Sequence, residues 1–280
     1  MKSVVITGVS TGIGLAATKA MIDAGFHVFG SVRTEADAQR LRRSFPLCFT
    51  PLVFDVTDSS AIENAAKQVA GAIGGETLSA LINNADIAIG GPLLYMPLDM
   101  VRKQFEVNLF GLLAVTQAFA PLLGTDLSRQ GKPGRIINIS SVSGKFGSPF
   151  VGAYAASKHA LEGMSETLRR ELMLFGIDVI VVGPGAIRTP IWGKADFAGY
   201  LNTPYKAALD RAYEYMQQFA AEGLAPEICA DLLVKILTVA RPKTRYALVP
   251  KPIRNWLLPR LLPTRWIDQV IARRLGLKRR

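Results

Sequence analysis

The sequence predicts an α/β fold in which one parallel sheet is covered by helices on both faces. Three observations carry this. Short β-branched runs alternate with helix-period segments through most of the chain, and the first run ends in a glycine-rich turn that opens a helix. No Pro/Gly/Ser-rich linker, repeat or low-complexity run divides the 280 residues, which at 49% hydrophobic content can bury one large core.

Taken in order, the runs at 3–7, 27–32, 51–54, 79–83, 134–140, 177–183 and 245–249 read as strands. Between them, amphipathic stretches at 12–24, 59–74, 97–123, 152–175 and 226–239 read as helices. The first strand begins two residues after Met1, which leaves no room for a cleavable signal peptide ahead of it. Residues 1–250 are expected to form a single catalytic domain whose ligand lies at the carboxyl ends of the strands. Residues 186–222 break the rhythm with Ile191, Trp192, Phe197, Tyr200, Tyr205, Tyr213, Tyr215, Met216 and Phe219, and read as a mobile, apolar-lined cap.

Charge is uneven. Of the net +11, residues 251–280 hold nine Lys/Arg against Asp268 alone, or +8, leaving +3 for residues 1–250. The basic residues are interleaved with Trp256, Leu257, Leu258, Leu261, Leu262, Trp266, Ile267, Val270, Ile271 and Leu275. That pattern suits an interfacial membrane helix better than a nucleic-acid arm, so no nucleic-acid partner is expected. The alternative is a C-terminal helix packed on its own domain with a solvated basic face. Pro252, Pro259 and Pro263 confine any continuous helix to about Thr264 onward. No apolar run is read as long enough to cross a bilayer, and Cys48 and Cys229 make no disulfide or metal framework. A cytoplasmic location follows, with peripheral attachment to a membrane through the tail.

The chemistry concentrates in a few residues. In Tyr154-Ala155-Ala156-Ser157-Lys158 a spacing of four puts phenol and ammonium on one helix face, where positive charge favours phenolate. A phenol of pKa about 10 then becomes a usable proton donor and acceptor. Alone, such a pair is usually a half-buried aromatic beside a solvated charge. Ser141, thirteen residues before the tyrosine, and the turn Thr7-Gly8-Val9-Ser10-Thr11-Gly12-Ile13-Gly14 alter that balance. Gly8 suits a sharp turn, Gly12 close backbone approach to a pyrophosphate, and Gly14 close helix–strand contact, with the helix N-terminus facing the anion. The same residues spell a G-x-S-x-G nucleophile elbow with His159 downstream, but that hydrolase reading leaves Ser141, Tyr154 and Lys158 unexplained.

On these motifs residues 1 to about 250 resemble the short-chain dehydrogenase/reductase family, and within it retinol and 17β-hydroxysteroid dehydrogenases. The resemblance implies a Rossmann-type doubly wound sheet in a three-layer αβα arrangement. Its cofactor turn matches Gly8, Ser10, Thr11, Gly12, Ile13 and Gly14, and its acid after the third strand matches Asp55, followed by Val56. Its Asn-Asn-Ala-Gly segment matches Asn83, Asn84 and Ala85, and its catalytic Asn, Ser, Tyr and Lys match Asn108, Ser141, Tyr154 and Lys158. Pro184, Gly185, Ile187 and Thr189 match the segment that contacts the nicotinamide carboxamide. By that resemblance Tyr154 exchanges a proton with the substrate oxygen and Ser141 holds that oxygen. Lys158 lowers the tyrosine pKa and reaches the nicotinamide ribose, and Asn108 holds a relaying water. No metal is implied.

One position departs from the family. Asp86 stands where the family has glycine, and a carboxylate beside the phosphate channel, on a backbone that would suit glycine if φ were positive, is expected to weaken cofactor binding. At the end of the second strand no acid precedes Glu35, and Arg33 can pair with a 2′-phosphate, so NADP(H) is expected over NAD(H). Leu93, Leu94, Met96, Phe146, Phe150 and Trp192 are expected near the pocket mouth and suggest a lipophilic alcohol or carbonyl substrate. The helices at 97–123 and 152–175 correspond to those through which family members pair, which implies a homodimer or homotetramer. A dinucleotide-binding scaffold without turnover is the competing reading, motivated by Asp86.

Overall fold

The computed structural model describes residues 2–190 and 197–277. Seven strands, β1 (Ser3–Ile6), β2 (His27–Val32), β3 (Phe49–Val53), β4 (Ala80–Asn83), β5 (Arg135–Ile139), β6 (Asp178–Pro184) and β7 (Arg245–Leu248), form one sheet. All pairings are parallel and the order is β3-β2-β1-β4-β5-β6-β7. Successive strands are added to one side of β1 up to β3 and to the other side from β4 onward, and that switch point between β1 and β4 is where such sheets bind ligands.

Alternation along the strands divides the core. Val4 and Ile6 face one layer, in which α1 (Gly12–Asp23) packs on α8 (Pro226–Thr238). Val5 faces the other, with α3 (Ser59–Ile73) and α5 (Leu112–Ala120). This is the expected three-layer doubly wound arrangement. Pro51 lies inside β3, which runs two residues earlier than read from sequence; β3 is an edge strand, where a missing N–H is tolerated.

Two helices escaped the sequence reading. The helix α2 (Glu35–Ser44) buries only Ala38 and Leu41, too sparse an apolar stripe to register as a period. The helix α7 (Lys206–Ala221) fills most of the expected cap. The predicted 97–123 helix is a broken run: α4 (Leu98–Phe105), a wide π turn over Glu106–Gly111, α5, and a second π turn over Pro121–Thr125. By length and a mean hydropathy of 1.6, this run Leu98–Thr125 could cross a bilayer, contrary to the expectation from sequence. Its buried face, including Gln104, Asn108, Val115 and Phe119, is that of a core helix.

The helix α6 (Gly152–Glu171) lies against β6 and presents the Tyr-Lys pair. After β7 the chain makes a π turn (Ile253–Leu257), a short α9 (Leu258–Leu261) and α10 (Thr264–Leu275). The expected start of the last helix at Thr264 is found, with Leu262 and Pro263 extended before it, but helix also forms over Ile253–Leu261, where the prolines had argued against it; Pro259 sits in the first turn of α9, where a missing N–H costs nothing.

Candidate active site

The carboxyl ends of β1, β4, β5 and β6 converge on one cavity of about 1310 Å³. After β1 the chain turns through Gly8 at φ +71° into α1, whose N-terminal N–H groups have no side-chain cap and no acid in the first turn. A Cβ on Gly14 would collide with the Gly8 carbonyl, so the close approach of helix to strand requires glycine there. The turn is fastened to β4: Asn84 Nδ2 donates to the carbonyls of Thr7 and Gly8 at 2.9 and 3.0 Å. Thr7 Oγ1 accepts from the N–H groups of Asn84 and Ala85. A bare helix N-terminus beside a glycine turn is the cradle that a pyrophosphate needs, so these residues fit a dinucleotide.

Gly8, Ser10, Thr11, Gly12 and Ile13 line this cavity, with Arg33 and, from the end of β3, Asp55 and Val56. Asn84, Ala85, Ser141, Tyr154, Pro184, Gly185, Ile187 and Thr189 line it too. Asn83 does not. Its Nδ2 donates to Thr116 Oγ1 and Asn138 Oδ1 in the core, tying β4 to β5 and α5. Strand alternation sends Asn83 inward and leaves the cavity to Asn84.

Ser141 accepts from the Ser143 N–H at 3.0 Å and shares a hydrogen bond with the Tyr154 hydroxyl. Lys158 is buried beneath the tyrosine, its Nζ 5.6 Å from the ring centroid, and donates to the Ile139 carbonyl at 2.9 Å. Its other partner among the described residues is Asp86, with Nζ 3.1 Å from Oδ2. Burial and then the Asp86 charge push the Tyr154 phenol above its ordinary value, while the Ser141 hydrogen bond pulls the other way. The sequence reading implied the opposite direction, because it weighed the Lys158 charge and not the burial of the phenol or the Asp86 carboxylate.

The expectation for Asp86 is corrected in form. Among the described residues only Phe150 and Lys251 are non-glycine positions with positive φ, so the backbone at Asp86 does not call for glycine. Its carboxylate is paired with Lys158 and is not an isolated charge facing phosphate. Asn108 is tied by its side chain to the segment that follows Asp86. It sits in the first π turn, its Oδ1 accepts from the Ile87 N–H, and its Nδ2 donates to the Ile87 carbonyl and Ser157 Oγ. Gln104, one turn earlier, accepts from the Ile89 N–H and donates to the Ile87 carbonyl. The two amides hold the segment after Asp86 and do not line the cavity. Gln104 was missed because no short motif marks it.

Phe146 and Phe150 line the cavity as expected. Leu93 and Leu94 do not: they are 61% and 82% exposed in the turn before α4, where loop position alone suggested a pocket mouth. Met96 is buried outside the lining, and Ile191 and Trp192 lie outside the described residues. From α7, Tyr215, Met216 and Phe219 face the cavity. The far wall was not foreseen as part of the site: Leu262, Ile267, Val270 and Ile271 of the C-terminal segment complete it. That segment is anchored by Ile271, Leu275 and Leu277 against α7 and by Arg274 stacked on Tyr215. The guanidinium groups of Arg245 and Arg260 lie 4.5 and 4.9 Å from the Trp256 ring centroid, with Phe146 edge-on at 5.7 Å.

A family model described as short chain dehydrogenase matches residues 2–197. The chain belongs to the short-chain dehydrogenase/reductase family. It is accordingly an oxidoreductase by class. An NADPH-dependent 3-dehydrocapnine reductase of Ornithobacterium rhinotracheale is 38% identical, over 98% of this chain and 98% of that protein. Retinol dehydrogenase 5 of Mus musculus is 31% identical over 95% and 86%. A short-chain dehydrogenase structure from Streptomyces avermitilis superposes with a TM-score of 0.76 at 28% identity, covering 97% and 94% of the two chains. One from Burkholderia cenocepacia, in complex with NADP, gives 0.73 at 22% identity over 97% and 99%, a likeness of fold.

Proposed function

We propose that this short-chain dehydrogenase/reductase interconverts a lipophilic alcohol and its ketone or aldehyde with NADP(H), using Tyr154 as general acid and base. The observation that carries this is the single cavity that joins the glycine turn to the Ser141–Tyr154 pair, with Lys158 buried beneath. NADP(H), when bound, supplies or accepts the hydride. The turn Gly8–Gly14 and the α1 N-terminus hold its phosphates, and Arg33 takes the 2′-phosphate where no acid competes. The NADPH dependence of the 38% identical reductase supports that choice. Ser141 holds the substrate oxygen, and Tyr154 gives it a proton in reduction or removes one in oxidation.

A lining of Phe146, Phe150, Met216, Phe219 and Ile271 favours an apolar substrate body. The exposed Leu261 and Trp266 near the basic residues of the C-terminal segment suit attachment to an anionic membrane, from which such a substrate is drawn. Pairing of subunits through the α4–α5 run and α6 completes the reading. The test is a steady-state panel of hydrophobic ketones, aldehydes and alcohols with NADPH and NADH, on wild type and Tyr154→Phe. NADPH-dependent turnover that the variant loses is expected. Tight NADPH binding without turnover on any substrate would replace the enzyme with a scaffold.

A further inference from the structure

We propose that Asp86 is a positioning residue that engages the Lys158 ammonium and so keeps the Tyr154 phenol protonated, biasing the site toward carbonyl reduction. This rests on the proton-transfer role given to Tyr154 above. Three observations support it. The carboxylate lies 3.1 Å from a lysine that is 1% exposed and whose other hydrogen bond among the described residues goes to a neutral carbonyl. The carboxylate is itself only 20% exposed, so water screens the pair weakly. The segment that carries it is clamped on both sides, by Thr7 at Ala85 and by Asn108 and Gln104 at Ile87 and Ile89.

An unshared ammonium beside a phenol stabilises phenolate; an ammonium paired with a carboxylate nearly cancels at the phenol. In reduction the phenol O–H breaks and its proton passes to the substrate oxygen as hydride reaches carbon, and the phenolate left behind is reprotonated from solvent. Oxidation must begin from phenolate. Keeping the phenol protonated therefore leaves reduction ready at neutral pH and delays oxidation to higher pH. The other charges around the pair are otherwise engaged or farther along the wall. Glu162, one turn on along α6, is taken up by Arg245 of β7 and by Lys145 after β5. Arg33 and Asp55, and Arg260, Asp268 and Arg274 of the C-terminal segment, line the same cavity, and among the described residues none of them pairs with Asp86 or Lys158. His159, on the same helix, bonds the Ala155 carbonyl.

The test needs no turnover. In the full-length, cofactor-free protein, Tyr154 is replaced by the more acidic difluorotyrosine, and its phenol is titrated by absorbance in the Asp86, Asp86→Asn and Asp86→Glu backgrounds. The midpoint is expected to fall by about 1 to 3 pH units in Asp86→Asn, the scale of a nearby charge, and to stay high in Asp86→Glu. An unchanged or higher midpoint in Asp86→Asn overturns the proposal. Thermal unfolding checks each protein, and Asp86→Gly takes the place of an Asn variant that does not fold. If the midpoint falls but no substrate turns over, the function proposed above fails and the electrostatic role stands. If turnover is found, the pH profile for alcohol oxidation must move to lower pH in Asp86→Asn.

Discussion

Two arginines approach the glycine turn, and they differ in what they can do. Arg33 lines the cavity at the end of β2 and is exposed, free to meet a phosphate. Arg40 donates to the Ser10 carbonyl at 2.9 Å and pairs with Asp37 at 2.7 Å, which fixes the turn itself. Arg33→Ala is therefore expected to weaken NADPH by about 1.5 to 3 kcal/mol, a charge-assisted hydrogen bond, and to leave NADH nearly unchanged in calorimetry. Equal losses for both cofactors would move the 2′-phosphate contact elsewhere. Arg33 was legible in the sequence because it follows a strand where an acid is missing. Arg40 was not, because its helix buries too little to be recognised. The ion pair of Asp86 was equally hidden: a substitution shows in sequence, but its partner 72 positions away depends on how β4 and α6 meet.

Helix α6 joins the site to the sheet edge through Glu162. This carboxylate, 6% exposed, accepts from Ser140 at 2.9 Å and is held by Arg245 of β7 and by Lys145. Burial alone would raise its pKa, but the Arg245 hydrogen bonds and charge, with Ser140 and Lys145, outweigh it and hold the carboxyl below its ordinary 4.5. A depressed folded-state value means that the stabilisation is present above about 4.5 and is lost as pH falls through the folded value. Glu162→Ala is expected to cost about 3 kcal/mol at neutral pH in urea unfolding, the lower range for breaking a buried pair. The gap from wild type should narrow as pH falls below about 4.5 toward the lower folded value; a gap that is constant with pH would mean packing, and not charge, is lost. At this scale the strands were legible from their β-branched runs, and so were the helices with full apolar stripes. The π turns that break the 97–123 run were not, because Asn108 and Gln104 bend it to serve a backbone 15 to 21 residues away, which no local period records.

For the whole molecule, the C-terminal segment has two faces, which correspond to the two readings that the sequence presented as alternatives. Its inner face, with Ile271 and Leu275, packs on α7 and closes the cavity, so removing residues after Pro250 would open the site and expose its core. Its outer face leaves Leu261 and Trp266 71% and 63% exposed, and Arg265 and Arg273 of the same segment are exposed too. Elsewhere on the surface, Phe110 in the α4–α5 run is 54% exposed, and Phe110→Glu is expected to shift the oligomer toward monomer in light scattering if that run is the pairing surface. For the membrane the informative change is on the tail's outer face, where the fold is untouched. At about 1 kcal/mol for each basic residue near an anionic surface, several acting together with two inserted apolar side chains would be enough to hold the protein reversibly. Wild type should float with vesicles containing phosphatidylserine at low salt and be released at high salt. Leu261→Ser with Trp266→Ser should stay with the soluble fraction while keeping the wild-type melting temperature. If that variant floats as wild type does, or wild type never floats, the segment is a structural wall of the cavity and the apolar substrate arrives by another route.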